Sequence, residues 1–192
     1  MSEVPTNPML KRILIAIAGV TILGAVLLYL LATYPAGEYR VADELRARKF
    51  GIYYDRQDYH IWKHLVAVGG RDRSITEDDC RLLCQLPHLQ SLGFERCDFS
   101  ESNEIRKLAA CPIRFFAFVN ASLNDSDLAD FAKWTKLERL HIYGNAGITD
   151  AVFEYLEKIA SLRDLCIAGT SVTQDGVREF QKKRPDVKVF FE

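Results

Sequence analysis

Beyond residue 64 the apolar positions recur in a fixed frame. Leu-x-x-Leu-x-Leu is filled by Leu89, Leu92 and Phe94, then by Ile113, Phe116 and Phe118. It returns as Leu137, Leu140 and Ile142, and again as Leu162, Leu165 and Ile167. A weaker first copy is Leu65 with Val68, and a truncated last copy is Val187 with Phe190. The first positions of these copies are 24, 24, 24, 25 and 25 residues apart. A second frame keeps the same beat: Thr76, Ser100, Asn124, Thr149 and Thr173 follow one another at 24, 24, 25 and 24 residues. Each can accept a hydrogen bond from a first-turn N–H, and each follows an apolar residue: Ile75, Phe99, Leu123, Ile148 or Val172. Every copy therefore predicts a short strand, a turn, a capped helix and a return. Val152, Leu156 and Ile159 share one helical face in the fourth copy, as Leu128, Phe131 and Ala132 do in the third. No copy can bury its apolar face alone, whereas stacked copies share one core beneath a parallel sheet with helices on one side.

These residues resemble the leucine-rich-repeat family, and especially its cysteine-containing, ribonuclease-inhibitor-like subclass, with a consensus resembling LxxLxLxxCxxITDxxLxxLxxxCPxL. Leu89-x-x-Leu92-x-Phe94-x-x-Cys97 matches its first part and Cys111-Pro112 its later CP. Ile148-Thr149-Asp150 matches the ITD that opens the helical half, and Ile75-Thr76 and Val172-Thr173 match it in part. Asn145 and Thr170 stand where Cys97 stands, while Ala121 departs from that pattern. The resemblance covers residues 65–192. It implies an α/β fold, a curved leucine-rich-repeat solenoid of about five repeats with short parallel strands and helices on the convex side. It also implies a ligand-binding concave face and no conserved chemistry.

Ahead of the repeats, Ile13 to Leu31 are nineteen consecutive uncharged positions. A helix of that length reaches ~28 Å, against a bilayer core of ~30 Å. Signal-peptide apolar regions usually span only ~7–15 residues and end at a small-x-small site. Neither Tyr34-Pro35-Ala36 nor Leu30-Leu31-Ala32 offers a small residue at its first position. The expectation is a tail over 1–12 and a retained, single-pass transmembrane helix over 13–31. Lys11 and Arg12, directly before that helix, favour a C-terminal domain on the non-cytoplasmic side. Residues 32–64 then make a juxtamembrane segment and an N-terminal cap, since a repeat array needs a cover over its first open lap. Within them, 39–49 predicts a helix with Val41, Leu45 and Arg48 in line, and 52–54 and 59–62 read as extended segments.

Composition excludes classes more than it assigns one. Among 192 residues there are 25 Lys and Arg, 26 Asp and Glu, and 48% hydrophobic positions, giving a net charge of −1. That balance argues against a disordered chain and against a nucleic-acid binder. The five cysteines, Cys80, Cys84, Cys97, Cys111 and Cys166, are odd in number and show no disulfide framework. Cys97 and Cys111 read as small buried turn fillers. Cys80, Cys84 and His88 have helical spacing, but Pro87 ends the helix first and a fourth structural-zinc ligand is missing, so they are assigned to a buried helix face. His60 and His64 share that spacing without the glutamate of a zincin, and read as cap surface. Gly69-Gly70 leads to Arg71-Asp72-Arg73-Ser74 with no Walker lysine, and nucleophile elbows and Rossmann glycines are missing. No catalytic residue, cofactor or metal ligand is assigned.

What remains is the outer sheet face. Alternate strand residues point to opposite faces, so the neighbours of the framework residues line the concave side. Glu95, Phe115, Val119, Arg139, His141, Tyr143 and Phe191 form a candidate protein-binding patch of aromatic and charged side chains there. Six strands at ~4.8 Å spacing make a sheet ~24 Å across, which suits a peptide, a loop or a modest protein contact. The last strand, Val187–Glu192, offers an edge for a homodimer or an added strand. The expected function is a membrane-anchored, non-catalytic protein- or peptide-binding module. A structural subunit of a membrane complex ranks second, and a hydrolase-type enzyme using His141 with Asp164 or a cysteine ranks third.

Overall fold

The computed structural model describes residues 21–31, 34, 36–54, 64–99 and 108–191, which divide between two units, Met1–Ala36 and Gly37–Glu192. In the first, helix α1 (Thr21–Leu31) exposes Ile22, Leu23, Leu28 and Leu31. No single helix among the described residues is long and apolar enough to cross a membrane. The expected span starts at Ile13, and its residues 13–20 lie outside the described residues.

In the second unit, helix α2 (Ala36–Ala47) precedes a sheet of seven strands in chain order. These are β1 (Gly51–Tyr54), β2 (Leu65–Ser74), β3 (Ser91–Asp98), β4 (Phe115–Val119), β5 (Arg139–His141), β6 (Asp164–Cys166) and β7 (Lys188–Phe190). β1 runs antiparallel to β2, and every later neighbour is parallel. The frame residues align across the sheet, Val68 beside Leu92, then Phe116, Leu140 and Leu165. The layout is compatible with a leucine-rich-repeat-like fold.

The returns between strands are α3 (Glu77–Cys84), a 3₁₀ turn at Leu108–Ala110, a 3₁₀ helix over Asp125–Lys133, a 3₁₀ turn at Asp150–Val152 leading into α4 (Phe153–Leu156), and α5 (Gln174–Lys183). The third return was expected to be an α-helix. A 3₁₀ helix rises ~2.0 Å per residue instead of ~1.5 Å, so it crosses the back of a short lap with fewer residues. Four of the five expected caps close these returns. Thr76 and Asn124 form capping boxes with Asp79 and Asp127, while Thr149 and Thr173 accept from the amides of Ala151 and Gly176. Ser100 lies outside the described residues.

The framework side chains make the core. Leu92, Phe94, Phe116, Phe118, Leu140, Ile142, Leu165 and Ile167 are at most 1% exposed, and Leu128, Phe131, Val152, Leu156 and Ile159 meet them from the returns. Ala132, expected on that face, is half-buried. Phe116 stacks on Phe118 at 4.1 Å, and Phe131 lies parallel to Trp134 at 4.6 Å. The cap joins this core through Val41, Ala42 and Leu45 of α2 and through Ile52 and Tyr54 of β1. Arg48, expected on the helix face, lies past its end and pairs with the buried Asp79 at 2.9 Å. The second extended stretch, 59–62, lies outside the described residues.

Side chains stitch one lap to the next. Asp125 accepts from the amide and hydroxyl of Thr149, and Asp150 accepts in the same way from Thr173. The buried Asn145 bridges further: its Oδ1 accepts from the amides of Ala121 and Leu123, and its Nδ2 donates to the carbonyls of Phe118 and Ile142. Each lap from β2 to β6 passes through a left-handed residue at a near-constant interval, within β2 and β3 and just past β4, β5 and β6: Asp72, Arg96, Asn120, Gly144 and Gly169, with φ of 53°, 50°, 50°, 72° and 68°. At Gly144 a side chain is disfavoured both by the φ of 72° and because a Cβ would stand 2.0 Å from Asn120 Oδ1.

The last lap corrects the sequence frame. β7 pairs Leu165 with Val189 and Cys166 with Phe190. Val189 and Phe191 therefore pack against the core, while Phe190 takes the outer place that was expected of Phe191. The cause is spacing: Val187 follows Leu162 by 25 residues, but Val189 follows Leu165 by 24, so the strand enters one residue early and its alternation flips.

Candidate functional site

The outer face of the sheet carries its side chains in register. One row runs Ala67, Ser91, Phe115, Arg139, Asp164 and Lys188, and the next runs Gly69, Gly93, Ala117, His141, Cys166 and Phe190. A third begins with Arg71, Glu95 and Val119. Of the seven expected residues, three interlock. The Arg139 guanidinium lies 4.9 Å from the centre of the Phe115 ring, and His141 meets that ring edge-on at 4.8 Å. Partial burial first, and then the Arg139 charge, hold the His141 imidazole below its usual pKa, which favours the neutral ring. On its other side along the row stands Cys166 of β6.

Glu95 belongs to a separate group: it pairs with Arg71 at 2.5 Å and with Arg96, which in turn grips Asp72. Tyr143 is 47% exposed beyond the end of β5, with its ring edge near Gly169. Val119 and Glu95 help to wall an open trough of about 440 Å³, whose floor includes Gly69, Gly93 and Ala117. Lys49 and Tyr53 of the cap stand on its other side. The sequence pattern missed those two because β1 was not expected to join the sheet. The available signal was the alternation within Gly51–Tyr54, which leaves Tyr53 outward when Ile52 and Tyr54 turn in.

The cysteines also fall differently from expectation. Cys80 is buried as expected, but Cys84 is exposed and its Sγ lies 2.7 Å from Cys111 Sγ in the next lap. His88 leaves that helix face altogether. Its ring packs on His64 at 4.0 Å between centroids, and His64 Nδ1 faces Glu38 Oε2 at 3.1 Å. Sequence spacing could not reveal this cluster, because its three residues come from three separate elements.

No protein-family model matches the chain, and no curated protein matches it. Among solved structures, that of a leucine-rich-repeat (LRR) protein from Leptospira interrogans is similar over 57% of this chain, with 20% sequence identity and a TM-score of 0.42. The similar region is 27% of the length of that protein chain.

Proposed function

We propose that this chain is a membrane-anchored, non-catalytic module that binds a protein or peptide through the outer face of its sheet. The anchor is the uncharged run over 13–31, and the repeat unit stands on the non-cytoplasmic side. The observation that carries the reading is the Phe115–Arg139–His141 group, an aromatic–arginine cluster placed on a sheet face instead of in the core. Such clusters are the composition of interface hot spots. The glycine-floored trough beside it accommodates an extended segment, and the Arg71–Glu95 pair at its wall supplies polar contacts. Anchoring raises the concentration of the module near membrane partners.

The test is proximity labelling from the full-length protein in its membrane, comparing wild type with an Arg139→Ala/Tyr143→Ala double variant. Both residues are exposed, so the double variant keeps the wild-type denaturation midpoint. The expected result is the loss of a discrete subset of labelled partners. An unchanged set would overturn the assignment of this face. A second reading, a subunit of a larger membrane assembly, rests on β7, a three-residue edge strand carrying the 41% exposed Phe190. Lys188 lies 4.5 Å from the Phe190 ring and partly covers this edge.

A further inference from the structure

The geometry points to a metal site at the junction of the cap and the first lap, in which Glu38, His64 and His88 hold one divalent transition-metal ion of the zinc class. One ligand atom from each residue lies within 4.8 Å of the other two. The donors are a carboxylate oxygen and two imidazole nitrogens, a set that suits zinc, cobalt or nickel and is poorly matched to magnesium or calcium, which take oxygen ligands.

The carboxylate is the least ordinary member. Glu38 sits in α2 and is 6% exposed, and a buried charge is costly unless it is paired or bound to a metal. Its Oε1 accepts the Leu65 amide, which fixes the carboxylate and leaves Oε2 directed at His64. A backbone partner of this kind is how ligating carboxylates are usually oriented. A simple Glu38–His64 ion pair accounts for these two residues but leaves His88 unexplained. The His88 ring contacts the His64 ring at 4.0 Å, inclined by 46°. A dication placed among them takes one nitrogen from each ring together with the carboxylate, which gives His88 a role in the cluster.

The spacing fits. Bonds of ~2.0–2.2 Å in a tetrahedral site set neighbouring ligand atoms ~3.4 Å apart. The Glu38–His64 pair, at 3.1 Å, is slightly inside that distance. His88 is exposed and follows Pro87 on the turn after α3, so its ring can close the remaining gap without disturbing the core. Three protein ligands leave a fourth position for water or for a group from a bound partner. The ion would join α2, the start of β2 and the turn beyond α3, and so staple the cap onto the repeats.

The experiment uses the full chain, stripped with a chelator and titrated with Zn²⁺ by calorimetry and with Co²⁺ by visible absorption. The expected result is one equivalent of metal, tetrahedral Co²⁺ bands, and a raised thermal midpoint, since an ion that binds only the folded state stabilises it. His88→Ala leaves the core intact and is expected to weaken binding by at least about tenfold, with the Co²⁺ bands altered. His64→Asn/His88→Ala is expected to abolish it. The proposal is overturned if the folded wild type takes up neither ion stoichiometrically, or if His88→Ala binds both as wild type does. It is also overturned if binding persists in the double variant and disappears on Cys84→Ser, which would assign the metal to the thiols.

Discussion

Asn145 gives the sharpest test of how the laps are held together. It is 0% exposed and stands where the framework of the second lap has Cys97. Replacing it with alanine removes two bonds accepted from the amides of Ala121 and Leu123, and two N–H donors shared among the carbonyls of Phe118, Ile142 and Tyr143. At about 1 kcal/mol net for each of these four bonds, Asn145→Ala should cost about 4 kcal/mol. For a unit the size of Gly37–Glu192 that corresponds to a fall in Tm of about 8–16 °C. The assay is urea denaturation of wild type and variant, followed by far-UV circular dichroism and tryptophan fluorescence. Asn145→Cys is the informative control. Cys97 fills its own turn with weak sulfur hydrogen bonds, among them Sγ to the Glu95 carbonyl at 3.6 Å, so this variant should fall between alanine and wild type. If Asn145→Ala unfolds within about 0.5 kcal/mol of wild type, the side chain does not carry the turn, because that is the range of ordinary surface substitutions.

Acid sensitivity should centre on Asp79. Burial pushes its carboxyl upward, but the Thr76 amide and the Arg48 and Arg73 guanidinium groups outweigh that and hold it below the usual carboxylate range. A lowered folded pKa contributes stability above the unfolded value and loses it as pH falls, so denaturation midpoints should drop below about pH 4. Asp79→Asn should be less stable at neutral pH and show a flatter acid limb; an unchanged acid limb would exclude this origin. Thiol reactivity should single out Cys84. The Cys111 hydrogen bond lowers its pKa, whereas the bond with Cys84, and then burial, raise that of Cys111, and burial raises that of Cys97. Brief alkylation read by peptide mass spectrometry should modify Cys84 first, and equal labelling of all three would contradict this.

The parts of the fold legible in the sequence are those written by local chemistry repeated at a constant interval. Thr76, Asn124, Thr149 and Thr173 cap their returns because capping needs only a side-chain oxygen and a nearby amide. Leu92, Phe116, Leu140 and Leu165 are buried because strand alternation is fixed once the period is known. The misplaced Phe191 shows the weakness of the same reasoning, since one residue fewer between Leu165 and Val189 exchanges two faces. Within the candidate surface, Phe115, Arg139 and His141 were readable from alternation, but their mutual packing was not. Tyr53 and Lys49 depend on an antiparallel pairing with no counterpart in the repeat. Glu38, His64 and His88 meet only because α2 folds back over the first lap, a contact for which no local pattern codes.

The clasp of Asp125 on Thr149, repeated as Asp150 on Thr173, makes length a separable property of this architecture. Duplicating the circuit between these two clasps re-forms an aspartate–threonine grip at the new junction, whereas an indel of half a circuit leaves a strand facing a helix. Evolution and engineering can therefore lengthen the molecule in whole turns, altering its reach without rewriting the rules by which adjoining turns fit.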